Sequence, residues 1–291
     1  MKNYLKKSLW LLLASVCGLA SCNGKNAGAA KGNATENDSA VVAEKGIKTM
    51  TTDSISVTWI QDNAGEKLMP RSLFSDAPDS IIERLSLQNG VPSSVSTFLV
   101  KTASGQQILF DTGLGAPDSR LIDGLRQAGI EPSDVHYLYL THFHGDHIGG
   151  MLKGDSLVFP NAEVYASKAE YDAWMNMPDE QKAQVVKTMN RYKNQLHLFE
   201  FGDILPGNVE TIDASGHTPG HTNFRIGQFL IIGDLMHGAA LQTVYPEYSS
   251  SYDQNKAQAA QARKRILEYA RTNHLIMAGM HLPAPAFLTE N

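Results

Sequence analysis

The sequence predicts a mixed α/β fold whose functional side chains gather at one edge of its strands. From about Ile55 onward, short β-branched or aromatic runs alternate with longer stretches of helical period. Four potential ligand residues each follow a predicted strand directly, namely Asp111, His142, Asp234 and His281. Because loops at one edge of a sheet meet in space, we expect these side chains to lie together.

Predicted strands follow the continuous or alternating apolar runs. Residues 97–100 and 106–110 are separated by Ala103-Ser104-Gly105, which indicates a hairpin. Residues 135–140, 229–232 and 275–278 are apolar runs of strand length.

Helices are predicted at residues 118–128, 168–174 and 253–271. The second follows Ser167-Lys168-Ala169-Glu170, which has the spacing of a capping box. A further helix should begin near Asp146 and His147.

The amino-terminal residues 1–22 have the order of an export signal. Three lysines precede an apolar run, and Leu19-Ala20-Ser21-Cys22 follows it. That ending resembles the lipobox of bacterial lipoproteins, which implies an exported protein anchored to a membrane by lipid at Cys22. Residues 23–52 contain few large apolar side chains and are predicted to be a flexible linker, so the folded domain should span residues 53–291.

Charge and cysteine content exclude several classes of protein. The net charge is -5, and removal of Lys2, Lys6 and Lys7 with the signal makes it -5 - 3 = -8. An acidic exported protein is a poor candidate for binding nucleic acid, which requires clustered cations. The chain has 2 cysteines, Cys17 and Cys22, so the predicted domain contains no disulfide.

A dense group of metal-ligand residues occurs at residues 142–147, with the sequence His-Phe-His-Gly-Asp-His. Imidazole and carboxylate ligands without thiolate suit zinc, although manganese, cobalt and iron also accept them. Further ligands must come from later in the chain, where His217, Asp234 and His281 lie in glycine-containing loops. The sequence therefore predicts two closely spaced Zn²⁺ ions per chain, with an open side for a small-molecule substrate.

The pattern HxHxDH, followed by a distant His, a distant Asp and a final His, resembles the metallo-β-lactamase-fold hydrolases. That resemblance implies an αββα sandwich of two mixed β-sheets flanked by helices. It assigns His142, His144 and His217 to one metal, Asp146, His147 and His281 to the other, and Asp234 to a bridging position. It also implies that Asp111 braces the ligand histidines, and His221 is expected to be a hydrogen-bonding brace.

Within the fold, the segments around residues 216–221, 233–242 and 280–283 resemble the methyl parathion hydrolase and quorum-quenching lactonase branch. The implied substrate is a lactone, an aryl ester or a phosphotriester. Predicted pocket residues are Phe143, Phe74, Met236, His237 and Tyr245. The chain extends ten residues past His281, and this short tail is expected to leave the pocket more open than in that branch.

The implied chemistry is attack by a metal-bridging hydroxide, because paired metals lower the pKa of bound water to about 7. Asp146 and Asp234 are the predicted catalytic carboxylates, with Asp146 relaying a proton to the leaving group. The remaining histidines, His136, His197 and His274, are expected to be packing or surface residues.

Three other functions fit the same residues. One is a thioester hydrolase of the glyoxalase II type, although the basic carboxy-terminal domain of that family is not expected here. Another is a sulfur dioxygenase that uses a single iron. A tethered binding protein with a vestigial site is the non-enzymatic alternative, and it predicts no metal-dependent turnover.

Overall fold

The computed structural model describes residues 46–289 of the 291-residue chain. The predicted signal peptide with Cys22 lies outside the described residues, as does the predicted linker up to residue 45. Within residues 46–289, no helix combines the length and apolar character needed to cross a bilayer.

The strands of the described residues follow one another as β1 Ile47–Thr52, β2 Ile55–Gln61, β3 Lys67–Met69, β4 Val91–Ser93, β5 Ser96–Lys101, β6 Gln107–Phe110, β7 Tyr137–Tyr139, β8 Leu152–Lys153, β9 Ser156–Leu157, β10 Glu163–Ser167, β11 Leu196–Phe199, β12 Ile204–Leu205, β13 Val209–Asp213, β14 Thr222–Ile226, β15 Phe229–Gly233, β16 Ile276–Gly279 and β17 Phe287–Leu288. The helices are α1 Asp79–Arg84, α2 Leu121–Gln127, α3 Gly145–Ile148, α4 Lys168–Met175, α5 Asp179–Arg191, α6 Ala239–Gln242 and α7 Lys256–Thr272. Short 3-10 turns cover Arg71–Phe74, Pro132–Asp134 and Gly149–Met151.

Two mixed sheets contain most of these strands, while β3 with β4 and β8 with β9 form separate two-stranded sheets. The first has seven strands in the order β1-β2-β5-β6-β7-β10-β11, and the second has six in the order β12-β13-β14-β15-β16-β17. The predicted hairpin is confirmed, since β5 and β6 pair antiparallel, whereas β6 and β7 pair parallel. The second sheet is mixed in the same way, because β15 is antiparallel to β14 and parallel to β16.

Alternation of side chains along the strands produces four layers. On β6, Ile108 and Phe110 belong to the same core cluster as Phe224 of the second sheet. Leu109 faces the other way and packs in a cluster with Leu125 of α2 and with α5. The two sheets therefore share one core while helices cover the outer face of the first.

Helix α7 covers the second sheet in a similar way. Its Ile266 is fully buried in the cluster that contains Leu230 and Ile232 of β15. The predicted αββα sandwich, with two mixed β-sheets flanked by helices, is confirmed.

Two sequence-based boundaries and one predicted capping interaction are wrong in detail. Strand β1 begins at Ile47 and pairs with β2 along its whole length, so the folded domain begins within the predicted linker of residues 23–52. Helix α7 begins at Lys256 with Asn255 as its cap, because Asp253 is engaged elsewhere. Ser167 caps α4 by accepting from the Glu170 N–H, but the Glu170 carboxylate turns inward instead of completing the capping box.

Replacing Phe224 by alanine should remove about 3–5 kcal/mol from the free energy of unfolding, because a large buried side chain leaves a cavity between the sheets. Phe224 is fully buried, with ring centroids 5.3 Å from Phe110 and 5.7 Å from Tyr139. Chemical denaturation of the metal-free protein measures this loss. Ile204→Ala is the control, since that side chain is 62% exposed, and a Phe224→Ala loss no larger than the control would contradict the shared core.

Candidate metal centre

The strand ends place the predicted ligands at one edge of the sandwich. Asp111 follows β6, His142 lies just past β7, and His281 lies just past β16. Asp234 follows β15, whose last residue, Gly233, has a positive φ of 49°. A side chain at Gly233 would place its Cβ 2.6 Å from His221 Nε2, so only glycine permits this close approach.

Three histidines face one another in the first ligand group. His144 Nδ1 lies 3.0 Å from His142 Nε2 and 2.9 Å from His217 Nε2, and the latter two nitrogens are 3.2 Å apart. A neutral imidazole donates only one hydrogen, so hydrogen bonds alone do not satisfy this triangle. A tetrahedral zinc ion with bonds of about 2.0–2.1 Å would separate such nitrogens by about 3.3 Å. The triangle therefore fits a common cation.

The second group contains Asp146, His147 and His281. Asp146 Oδ2 lies 3.3 Å from His281 Nε2, and Asp146 Oδ1 lies 3.7 Å from His147 Nε2. Within the described residues, His147 Nε2 and Asp234 Oδ1 are buried without hydrogen-bond partners. Buried polar atoms are rarely left unpaired, and two of them side by side fit a bound cation.

Asp234 lies between the two groups. Its Oδ1 is 3.1 Å from His147 Nε2, while its Oδ2 is 3.2 Å from His217 Nε2 and 3.1 Å from His281 Nε2. The carboxylate is 2% exposed. The carboxylate thus contacts histidines of both groups, as a bridging ligand requires. The structure brings all seven predicted ligands together, and their assignment to metals stays a prediction.

Hydrogen bonds orient the ligand imidazoles from behind. Asp111 accepts from His147 Nδ1 at 2.7 Å, as predicted for a brace, and the Ser94 carbonyl accepts from His281 Nδ1 at 2.8 Å. Asp253 accepts from His217 Nδ1 at 3.0 Å. Each bond holds one ring nitrogen and leaves the other for a metal.

Asp253 was not predicted as part of the site, because it follows no strand and belongs to no motif. His221 is placed as a brace, with Nε2 accepting from the Asp234 N–H at 2.9 Å and Nδ1 lying 3.1 Å from the Ala214 carbonyl oxygen.

The pKa values of the histidines in the metal-free site are shifted in opposite directions. Burial lowers the pKa of His144 to about 3 and holds that of His142 well below its usual value. Burial also opposes the charged form of His281, but Asp234 and Asp146 outweigh it and raise the His281 pKa to about 10. The carboxylates likewise raise the pKa of His147. In the absence of metal, His147 and His281 of the second group are therefore protonated at neutral pH.

A cavity of about 470 Å³ opens above the ligands. It is lined by Lys67, Leu68, Met69, Pro70, His144, Gly145, Asp146, His217, Asp234, His237, Tyr252 and His281. Among the predicted pocket residues His237 lines it, while Phe143, Phe74, Met236 and Tyr245 do not.

Each of those four side chains packs elsewhere. Phe143 alternates with His142 and His144 and points into the core beneath helices α4 and α5. Met236 is buried between the sheets. Phe74 and Tyr245 pack in a separate cluster with α1. The exposed His136, His197 and His274 lie outside both ligand groups.

Binding of zinc to the metal-free protein at pH 7 should release protons, because His281 and His147 must lose a proton before Nε2 can bind a cation. Since their pKa values are raised, apparent affinity should increase as pH rises toward about 10. Isothermal titration calorimetry in buffers of different ionisation enthalpy measures the release. A binding enthalpy that is independent of the buffer would contradict the protonation states given above.

Known proteins resemble this chain in sequence and in fold. An N-acyl homoserine lactonase of Bacillus sp is 30% identical over 139 residues, which are 48% of this chain and 49% of that protein. The chain thus spans about half the length of the curated relatives it matches. The crystal structure of the hydrolase AbOPH of the beta lactamase superfamily is 27% identical, with a TM-score of 0.75, and covers 84% of this chain and 92% of that one.

AidC, a dizinc quorum-quenching lactonase in complex with a product, shares the fold at 24% identity and a TM-score of 0.75. The superposition covers 85% of this chain and 94% of the AidC chain. The family model of the metallo-beta-lactamase superfamily matches residues 90–281. The matched segment includes both ligand groups and Asp234. The chain therefore belongs to the metallo-beta-lactamase superfamily.

Proposed function

We propose that this protein is a dinuclear zinc hydrolase that opens a lactone or cleaves a related aryl ester or phosphotriester. The observation that carries the proposal is the pair of ligand groups that share Asp234 on the wall of an open cavity. The similarity to an N-acyl homoserine lactonase over half of its length supports a lactone within this class.

The lining of the cavity supports a small substrate with a polar and an apolar part. Its volume of about 470 Å³ lies within the range of about 300–1,000 Å³ that is typical of small-molecule sites. Leu68, Met69 and Pro70 contribute an apolar segment of the lining, while the ligand residues contribute the polar segment. An ester group at the metals with an apolar substituent beside β3 matches this division.

Bound zinc would supply Lewis acidity, which lowers the pKa of a coordinated water to about 7 and polarises an ester oxygen. Asp234 would contribute to holding both cations, because its carboxylate contacts histidines of both groups. Asp146 lines the cavity and is 27% exposed, and the histidines near it hold the pKa of its carboxyl below the usual value despite burial. It is therefore ionised at neutral pH, and its exposure to the cavity supports the predicted role of relaying a proton to the leaving group.

His237 lines the cavity beside Asp234. It is 1% exposed, and its Nε2 lies 3.1 Å from Asp234 Oδ2. Its Nδ1 is buried and has no hydrogen-bond partner among residues 46–289. His237 therefore forms part of the cavity wall, and this nitrogen is not itself exposed to a substrate.

Activity should depend on the ligand groups and not on histidines elsewhere. His144→Ala and Asp234→Asn should lower the hydrolysis of lactones, aryl esters and phosphotriesters by at least about 100-fold and reduce bound zinc, because each removes a ligand. A panel assay of the zinc-loaded protein, together with metal analysis, measures both effects.

His274→Ala is the matched control, since that histidine is exposed and distant from both groups. Equal turnover in all three variants would remove the case for this site. One iron per chain instead of two zincs would favour the oxygenase alternative.

We also propose that the protein is exported and anchored by lipid at Cys22, on the basis of the signal-like order of residues 1–22. Cys22→Ser should move the protein from the detergent phase to the aqueous phase in detergent partition of cell extracts. Identical partition of the variant and the wild type would contradict the anchor.

A further inference from the structure

A buried carboxylate lies behind the three-histidine group and belongs to neither ligand set. Glu170, in the first turn of α4, is 1% exposed. Burying a charge costs several kcal/mol unless hydrogen bonds compensate for the lost water, so the partners of Glu170 show what its position stabilises.

Each oxygen of Glu170 binds a different loop. Oε1 accepts from the backbone N–H of Phe143 at 3.1 Å and from Trp174 Nε1 at 2.6 Å. Oε2 accepts from the backbone N–H of Gly220 at 2.8 Å. The carboxylate therefore joins two loops that are far apart in sequence.

Both loops carry ligands of the same predicted cation. Phe143 lies between His142 and His144, and Gly220 lies three residues after His217. Trp174, which shares Oε1, has its ring 5.9 Å from that of His144 in an edge-on contact. The second group has separate anchors, since Asp111 holds His147 and the Ser94 carbonyl holds His281.

The backbone at Gly220 is packed too closely against α4 to accommodate a side chain. A side chain there would place its Cβ 2.1 Å from the backbone nitrogen of Glu170. Glycine thus allows the start of α4 to lie directly against the His217 loop. This contact brings the carboxylate within reach of both backbones.

We infer that Glu170 is a positioning residue for the three-histidine cation, because it fixes the backbones from which His142, His144 and His217 project. Its oxygens accept from backbone and indole N–H groups, and it belongs to neither ligand group. The inference rests on the two-cation centre of the proposed function, and it makes a prediction about only one of the two cations.

Glu170→Gln tests the role with little change of shape. One oxygen becomes an NH₂ group, which faces a backbone or indole N–H and cannot accept from it. Loss of such a supporting bond typically lowers metal affinity by about 10–100-fold. Competition between the metal-free protein and a chelator for Zn²⁺ should show one cation weakened by that factor and the other unchanged. Glu163→Gln is the matched control, because Glu163 is on the adjoining strand and pairs with the exposed His197.

Double variants identify the affected cation. In a His281→Ala background the remaining cation is the one at the three-histidine group, and Glu170→Gln should still weaken its binding. In a His144→Ala background the three-histidine group is already impaired, so Glu170→Gln should have no further effect. Equal weakening of both cations, equal effects in the two backgrounds, or unchanged affinity would each overturn the inference. A wild-type protein that binds fewer than two zincs would overturn the proposed function as well, so the two failures are distinguishable.

Discussion

The Asp234 carboxylate, set between two groups of imidazoles, is the interaction around which the site is arranged. Its two oxygens lie 3.1–3.2 Å from His147, His217 and His281. Such close packing of buried polar atoms is unfavourable unless positive charge compensates for the lost water. Two divalent cations would supply that charge and would also separate imidazole nitrogens that now face one another. The stability of this edge of the sandwich is therefore linked to metal binding.

The fold provides the rigidity that this arrangement needs. Parallel pairing of β6 with β7, and of β15 with β16, ends the strands that precede Asp111, His142, Asp234 and His281 at the same edge. The cores on both sides of each sheet hold those strand ends in place. Short loops then carry the ligands only a few residues from the sheet, which limits how far each side chain can move.

Behind the ligands lies a layer of buried carboxylates, each with a distinct task. Asp111 orients His147, and Asp253 orients His217 while pairing with the buried Arg263 at 3.2 Å. Glu170 acts on backbone instead of on imidazole. A negative charge near a cationic centre is favourable even when it is buried. These carboxylates therefore contribute both to packing and to metal affinity.

Sequence patterns alone predicted the seven side chains that meet at the site, the hairpin, the strands that precede Asp234 and His281, and the helices α4 and α7. These features follow from residue chemistry and from spacing over a few residues, which local patterns record. Helix α5 was not predicted, since its charged and polar residues leave few apolar positions.

The hydrogen bonds that anchor the ligand loops, and the residues that line the cavity, depend on the tertiary structure. The bonds from Glu170 to Gly220 and from His281 to Ser94 span 50 and 187 residues. Phe143 is adjacent to two ligands in sequence, yet it points into the core because neighbouring side chains on extended backbone face opposite sides. Contacts of this kind depend on how the two sheets pack, which no local pattern encodes.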